Sequence, residues 1–172
     1  MRMKLLMMLL FCIPSFVSAG NHKDNGYDDV AGLFEYCSGV NSPGVRYTYV
    51  SKLMMRRASS LPLDEFDLKP LSGKIDFVKS VYVVPPAGDV KECARRIETL
   101  PGVVGENGFV CVLSLNRDGN HTNMYVKSGD AGLNSVLMTL VAYNADGDIE
   151  LAVAALIGGV FSHEEILSIM KF

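Results

Sequence analysis

The sequence predicts an α+β domain, a mostly antiparallel four- to five-stranded sheet with helices packed on one face. Three observations carry that expectation. From Phe109 to Ile157 four successive segments alternate apolar residues and are separated by turns rich in Asn, Asp and Gly. Around Leu33-Phe34, Leu53–Ala58 and Val90–Leu100 the apolar residues recur instead at helical spacing. The chain then closes on Phe161-Ser162 and an acidic first turn, the signature of a capped helix.

Taken in order, residues 1–19 read as a signal peptide. Arg2 and Lys4 give the positive start, Leu5 to Ile13 the apolar run, and Val17-Ser18-Ala19 the small residues of a cleavage site. That run is shorter than the ~20 residues a bilayer-spanning helix needs, so no stable membrane span is expected after cleavage. Cys12 follows Phe11, where lipid attachment would want a small residue. Residues 20–27 are polar and form a flexible N-terminal segment. Residues 28–172 are expected to make a single α+β domain.

In that domain Asp28 or Asp29 caps a first helix carrying Val30, Leu33, Phe34 and Cys37 on one face, ended by Ser38-Gly39. Val45–Val50 is a short strand. Ser51 then caps a second helix, with Val50 and Met55 placed as a hydrophobic staple. Pro62 and Pro70 make the stretch from Leu61 to Gly73 a connector. Lys74–Val84 is strand-like up to Pro85-Pro86. The next helix presents Val90, Cys93, Ala94, Ile97 and Leu100 on one face, with Asp89 and Glu92 spaced as a capping box, and stops at Pro101-Gly102. This strand–helix–strand order predicts that Ile75–Val84 pairs in parallel with a later strand through a right-handed crossover.

The last third supplies most of the sheet. Phe109–Leu115 is apolar on both sides at one end, which predicts a central strand. Next, Thr122, Met124 and Val126 alternate with His121, Asn123, Tyr125 and Lys127, which predicts one wet face. Leu133–Tyr143 follows, then Asn144–Asp148 as a hairpin turn around Asp146-Gly147. In Ile149–Ile157 the small residues Ala152 and Ala154 share a face, which suggests the close approach of a helix. Finally Ser162 and Glu165 form a capping box, Phe161 and Ile166 a staple, and Ile166, Ile169 and Met170 a stripe toward the sheet.

Composition narrows the function. Removing Arg2 and Lys4 takes the formal charge from −3 to −5, so the mature chain has no electrostatic reason to bind nucleic acid or anionic lipid. Cys37, Cys93 and Cys111 remain, an odd number. At most one internal bridge can form, and three buried thiols acting as small hydrophobes is an equally acceptable reading.

The Leu33-Phe34 helix, the run Val45-Arg46-Tyr47-Thr48-Tyr49-Val50-Ser51-Lys52 before a Met-rich helix, the Ile75–Val83 strand, and Leu156-Ile157-Gly158-Gly159-Val160-Phe161-Ser162 before an acidic helix start together resemble domain of unknown function 4252. Its members are mainly small exported proteins of Bacteroidetes-type bacteria. The similarity runs from about Val30 to Ile169 and consists of packing positions. It implies an exported α+β domain and no catalytic activity.

Searched for chemistry, the chain offers no catalytic, cofactor-binding or metal-binding set. His22, His121 and His163 lack partners at zinc-ligand spacing. In Asn144-Ala145-Asp146-Gly147-Asp148 the glycine comes too early for a calcium loop. No Gly-x-Ser-x-Gly elbow exists, and Gly102–Gly108 follows a helix, the wrong order for cradling phosphate. The sequon Asn120-His121-Thr122 is expected to be accidental, given the bacterial origin that the resemblance implies. The expected function is that of an exported, non-catalytic domain, periplasmic or secreted, that binds or senses an envelope protein or ligand. Its candidate binding face is His121, Asn123 and Tyr125. Two rivals stay open: a small exported hydrolase or isomerase using Asp146, Asp148 or His163, and a structural subunit that adds strands through a Val45–Val50 edge.

Overall fold

The computed structural model describes residues 30–57, 73–85, 89–130 and 132–169. The leader, the 20–27 segment, the Asp28/Asp29 cap, the body of the 61–73 connector and Met170 lie outside those residues. The elements are α1 Val30–Gly39, β1 Val45–Ser51, α2 Lys52–Arg57, β2 Ile75–Val83, α3 Asp89–Thr99, β3 Phe109–Arg117, β4 Asn120–Gly129, β5 Gly132–Tyr143, β6 Ile149–Phe161 and α4 His163–Ile169. A 3-10 turn, Leu100–Gly102, follows α3.

All six strands join one sheet in the order β1-β2-β6-β5-β4-β3, and every pairing is antiparallel. The α+β class with an antiparallel sheet therefore holds, but the sheet has six strands where four to five were expected, because β1 and β2 join the same sheet as the later hairpins. The expected parallel pairing of Ile75–Val84 does not occur. Four antiparallel steps separate β2 from β3, so the two strands point the same way without touching. The strand–helix–strand unit exists, and α3 makes its crossover above the strands in between. β3, expected at the centre, is an edge strand.

The hairpins follow local chemistry. Arg117 pairs with Asn120 across a two-residue loop in which Asp118 and Gly119 have φ of 52° and 75°. This is the twist-matched turn that Asp-Gly favours. In the β5–β6 turn the Asn144 side chain accepts from the amides of Asp146 and Asp148 at 2.9 and 3.0 Å, and the backbone closes between Asn144 and Asp148. That carboxamide oxygen is consumed in shaping the turn.

Because side chains alternate across the sheet, the core has two parts. On one face α1 and α3 bring Val30, Leu33, Phe34, Cys37, Val90, Cys93, Ala94 and Ile97 onto Val81, Val83, Leu137, Ala152 and Ala154. Both alanines are fully buried, and their small size lets α3 lie close to β6. On the opposite face Ile75, Met124, Val126, Val136, Met138, Ile157 and Phe161 pack with Ile166 of α4, and Met55 of α2 leans on them. Helical residues thus meet the sheet on both faces, not on one as expected. The sheet is apolar on both sides at its centre, so one layer of helices would leave the Met124–Ile157 face bare.

The predicted caps are partly realised. Ser162 Oγ accepts from the amide of Glu165 at 3.2 Å, while Glu165 Oε2 accepts from the amide of Ser162 at 2.9 Å. Phe161 and Ile166 close the staple in the second core. Lys74 Nζ adds an ion pair to Glu165 at 2.5 Å and leads the causes that hold this carboxyl below its ordinary range. Ser51 Oγ caps α2 by accepting from the amide of Met54 at 3.3 Å. Leu53 and Met54 nevertheless face outward. At α3 the side chain of Asp89, half of the expected capping box, lies outside the described residues, and Glu92 is engaged on its own helix. Its carboxylate is gripped by Arg95 and Arg96 at 2.7 to 2.9 Å, which holds it below the usual carboxylate range.

The glycine pair in β6 has a steric reason. Phe77 lies against Gly158, so a Cβ there would run into its ring, and a Cβ on Gly159 would meet the Lys74 carbonyl. A one-residue irregularity between Ile75 and Phe77 keeps β2 and β6 in step.

Candidate functional site

The β4 row that alternation marks as a surface splits into an exposed part and a buried part. Thr122, Met124 and Val126 turn into the second core as their pattern requires. On the other side Tyr125 is only 4% exposed and belongs to the α1–α3 core, opposite Leu137 of β5 and Cys111 of β3. Burial pushes its phenol above the ordinary range, with Cys111 adding to the effect. Tyr125 is therefore removed from the candidate face. The alternation placed it correctly on the same side as His121 and Asn123, but this side is dry where the helices cover it and wet only beyond them.

His121 and Asn123 remain outside that cover, and other residues join them. Ser114 of β3 sits opposite Asn123, and its hydroxyl donates to Asn123 Oδ1 at 2.7 Å. His121 lies edge-on to Tyr143, with ring centroids 5.3 Å apart at 65°. Tyr143 in turn donates to Glu98 Oε1 at 2.7 Å, which ties the end of β5 to α3. Burial, the hydrogen bond and the Glu98 charge push the Tyr143 phenol up to about 12. The strip thus runs from Glu98 through Tyr143 and His121 to Asn123 and Ser114.

Its groups are mixed polar and aromatic. It offers an imidazole, a carboxamide, a hydroxyl, an aromatic edge and a carboxylate, and its two internal hydrogen bonds fix Asn123 and Tyr143 before any ligand arrives. Tyr143 is held neutral and donating, so it is not a base at ordinary pH. Among the described residues no three His, Cys, Asp or Glu side chains gather as metal ligands could. His163 lies on the exposed first turn of α4, while Asp146 and Asp148 lie at the exposed β5–β6 turn. The two aspartates share one turn before β6 and His163 follows the far end of that 13-residue strand, so the three do not form a common site.

No family model, curated protein or solved structure matches the chain.

Tyr143, Glu98 and Ser114 were missed in the sequence for different reasons. Tyr143 stands two residues beyond Val141, which pairs with His121, so its position needs the β4–β5 register. Glu98 comes from a helix whose path over the sheet the sequence does not state. Ser114 faces Asn123 only because β3 is shifted by the irregularity between Cys111 and Leu113.

Beyond the strip lies an edge strand whose Val110 and Leu115, paired with Val126 and Thr122, face the other side of the sheet from His121 and Asn123. Val110 is 64% exposed, Val112 42% and Leu115 41%, and β3 is the last strand of the sheet on that side. At the opposite end β1 is also terminal, with Tyr49 exposed. Among the described residues no helix is long and apolar enough to cross a membrane.

Proposed function

We propose that the chain is an exported, non-catalytic domain that binds a protein or ligand at the cell envelope through the β3 edge and the polar strip beside it. Kinship with domain of unknown function 4252 and a periplasmic or secreted location are parts of the same proposal. They rest on the leader-like residues 1–19 and on the packing positions quoted above.

The observation that carries the reading is the exposure of Val110, Val112 and Leu115 on a terminal strand, with Val110 and Leu115 on the second-core face of the sheet and Ser114, Asn123 and His121 on the other, so that the edge offers apolar groups on one side and polar groups on the other. Natural sheets usually blunt such edges with charge, proline or cover. Here Val110–Asn116 is uncharged, and polar groups alongside it can set direction and register for an incoming chain. An added strand would gain main-chain hydrogen bonds from the edge and specificity from the alternate side chains.

The strand-adding structural subunit, read from the Val45–Val50 edge, is supported by the terminal position of β1 and differs in using that opposite edge to join other chains. The test is capture of partners from envelope extract by the full chain, compared with Val110→Lys and His121→Ala variants that retain the wild-type unfolding temperature. Loss of the same captured protein from both variants supports the binding role. Unchanged capture by both would remove this surface from consideration.

A further inference from the structure

We propose that Cys37 and Cys93 form an intramolecular disulfide that staples α1 to α3 during folding in an oxidising environment. Cys37 occupies the inward face of α1 with Val30, Leu33 and Phe34, and Cys93 the inward face of α3 with Val90, Ala94 and Ile97. Both are free thiols buried in one core cluster where the helices meet, and Cys93 is the leading cause that raises the pKa of Cys37, as a close neighbour would. Beside them the Arg96 guanidinium of α3 stacks over the Tyr36 ring of α1 at 4.2 Å, a second tie that holds the two helices in this register. The third cysteine is elsewhere. Cys111 is exposed on edge strand β3, and its thiol donates to the Leu113 carbonyl at 3.4 Å.

The chemistry is thiol–disulfide exchange with an oxidant of the disulfide class, RSSR. The thiolate of one cysteine attacks RSSR and forms a mixed disulfide, releasing one RS⁻ that takes up a proton as RSH. The thiolate of the other cysteine then attacks the mixed disulfide, the protein S–S bond forms, and a second RSH leaves. Two protein thiols have lost two protons and two electrons, and RSSR has become two RSH.

The contact with Cys93 and burial keep the Cys37 thiol protonated in the folded chain, and neither sulfur is open to a bulky oxidant. The bond therefore forms before α1 has finished docking and is shielded afterwards. It closes a loop that contains β1, α2 and β2, so it restrains the unfolded chain over a long interval. The cell supplies the oxidant only if the chain is exported, as proposed above. The pairing itself is a property of the fold.

A defined redox buffer separates those two matters. The full chain is unfolded, reduced, and refolded in reduced and oxidised glutathione, then denatured without reductant, alkylated, digested with trypsin and mapped by mass spectrometry. The expected product is a cross-link between the peptide ending at Arg46 and the peptide ending at Arg95, with Cys111 alkylated. Reductant should lower the unfolding temperature of this material by roughly 10 °C and leave a Cys37→Ala/Cys93→Ala chain unchanged. Alkylation of both Cys37 and Cys93 after refolding, or a cross-link from either to Cys12 or Cys111, would overturn the proposal. The same map on protein taken directly from the producing cells reports on export alone.

Discussion

Strands β6 and β3 have similarly apolar sequences and opposite fates. β6 lies between β2 and β5, and residues 152–155 and 157–159 are all buried. β3 carries Val110, Cys111, Val112 and Leu115 to the surface and buries only Phe109. The difference lies in neighbours. β6 has strands on both sides, α3 above and the Met124–Phe161 core below, whereas among the described residues β3 has one strand beside it and no helix over most of its length. Apolar content alone thus does not assign a strand to the middle of a sheet. Small residues do better, because Ala152, Ala154, Gly158 and Gly159 make sense only where something else must come close.

The comparison is sharpened most by filling that space. Ala154→Leu forces extra methyl groups between β6 and α3 and should cost about 3 kcal/mol in urea unfolding. A loss below ~0.5 kcal/mol would mean that α3 does not rest on β6. Gly158→Ala should cost about 1.5 kcal/mol because the Phe77 ring has to move. A double-mutant cycle with Phe77→Ala should then show strong coupling. Ser162→Ala, which removes the cap where β6 hands over to α4, should cost about 1 kcal/mol by the same measurement. On β3, Val110→Thr should change stability by no more than about 0.5 kcal/mol, since that side chain has little packing to lose. Equal losses at Val110 and Ala154 would erase the contrast between the two strands.

Much of the fold was legible where the deciding physics is local. The strand alternations, the Ser51 and Ser162 caps, the Phe161–Ile166 staple and the closeness of a helix to Ala152 and Ala154 all follow from residues within a few positions of one another. What escaped depends on distant segments. The strand order, the antiparallel setting of β2 and the edge position of β3 are fixed by which strand finds which partner, and periodicity carries no such information. The candidate site shows the same division. His121 and Asn123 remain at the surface as read, while Tyr125 is covered by helices that arrive from the first half of the chain. Tyr143, Glu98 and Ser114 enter only through register and crossover.

Amide hydrogen exchange on the native protein tests the placement of the two strands most directly. Residues 152–157 of β6 should exchange only through global unfolding, while alternate amides along β3 exchange faster by several orders of magnitude because they point away from β4. Uniform, β6-like protection along the whole of Phe109–Arg117 in the monomer would contradict the account, since it would require a second strand on the open side of β3.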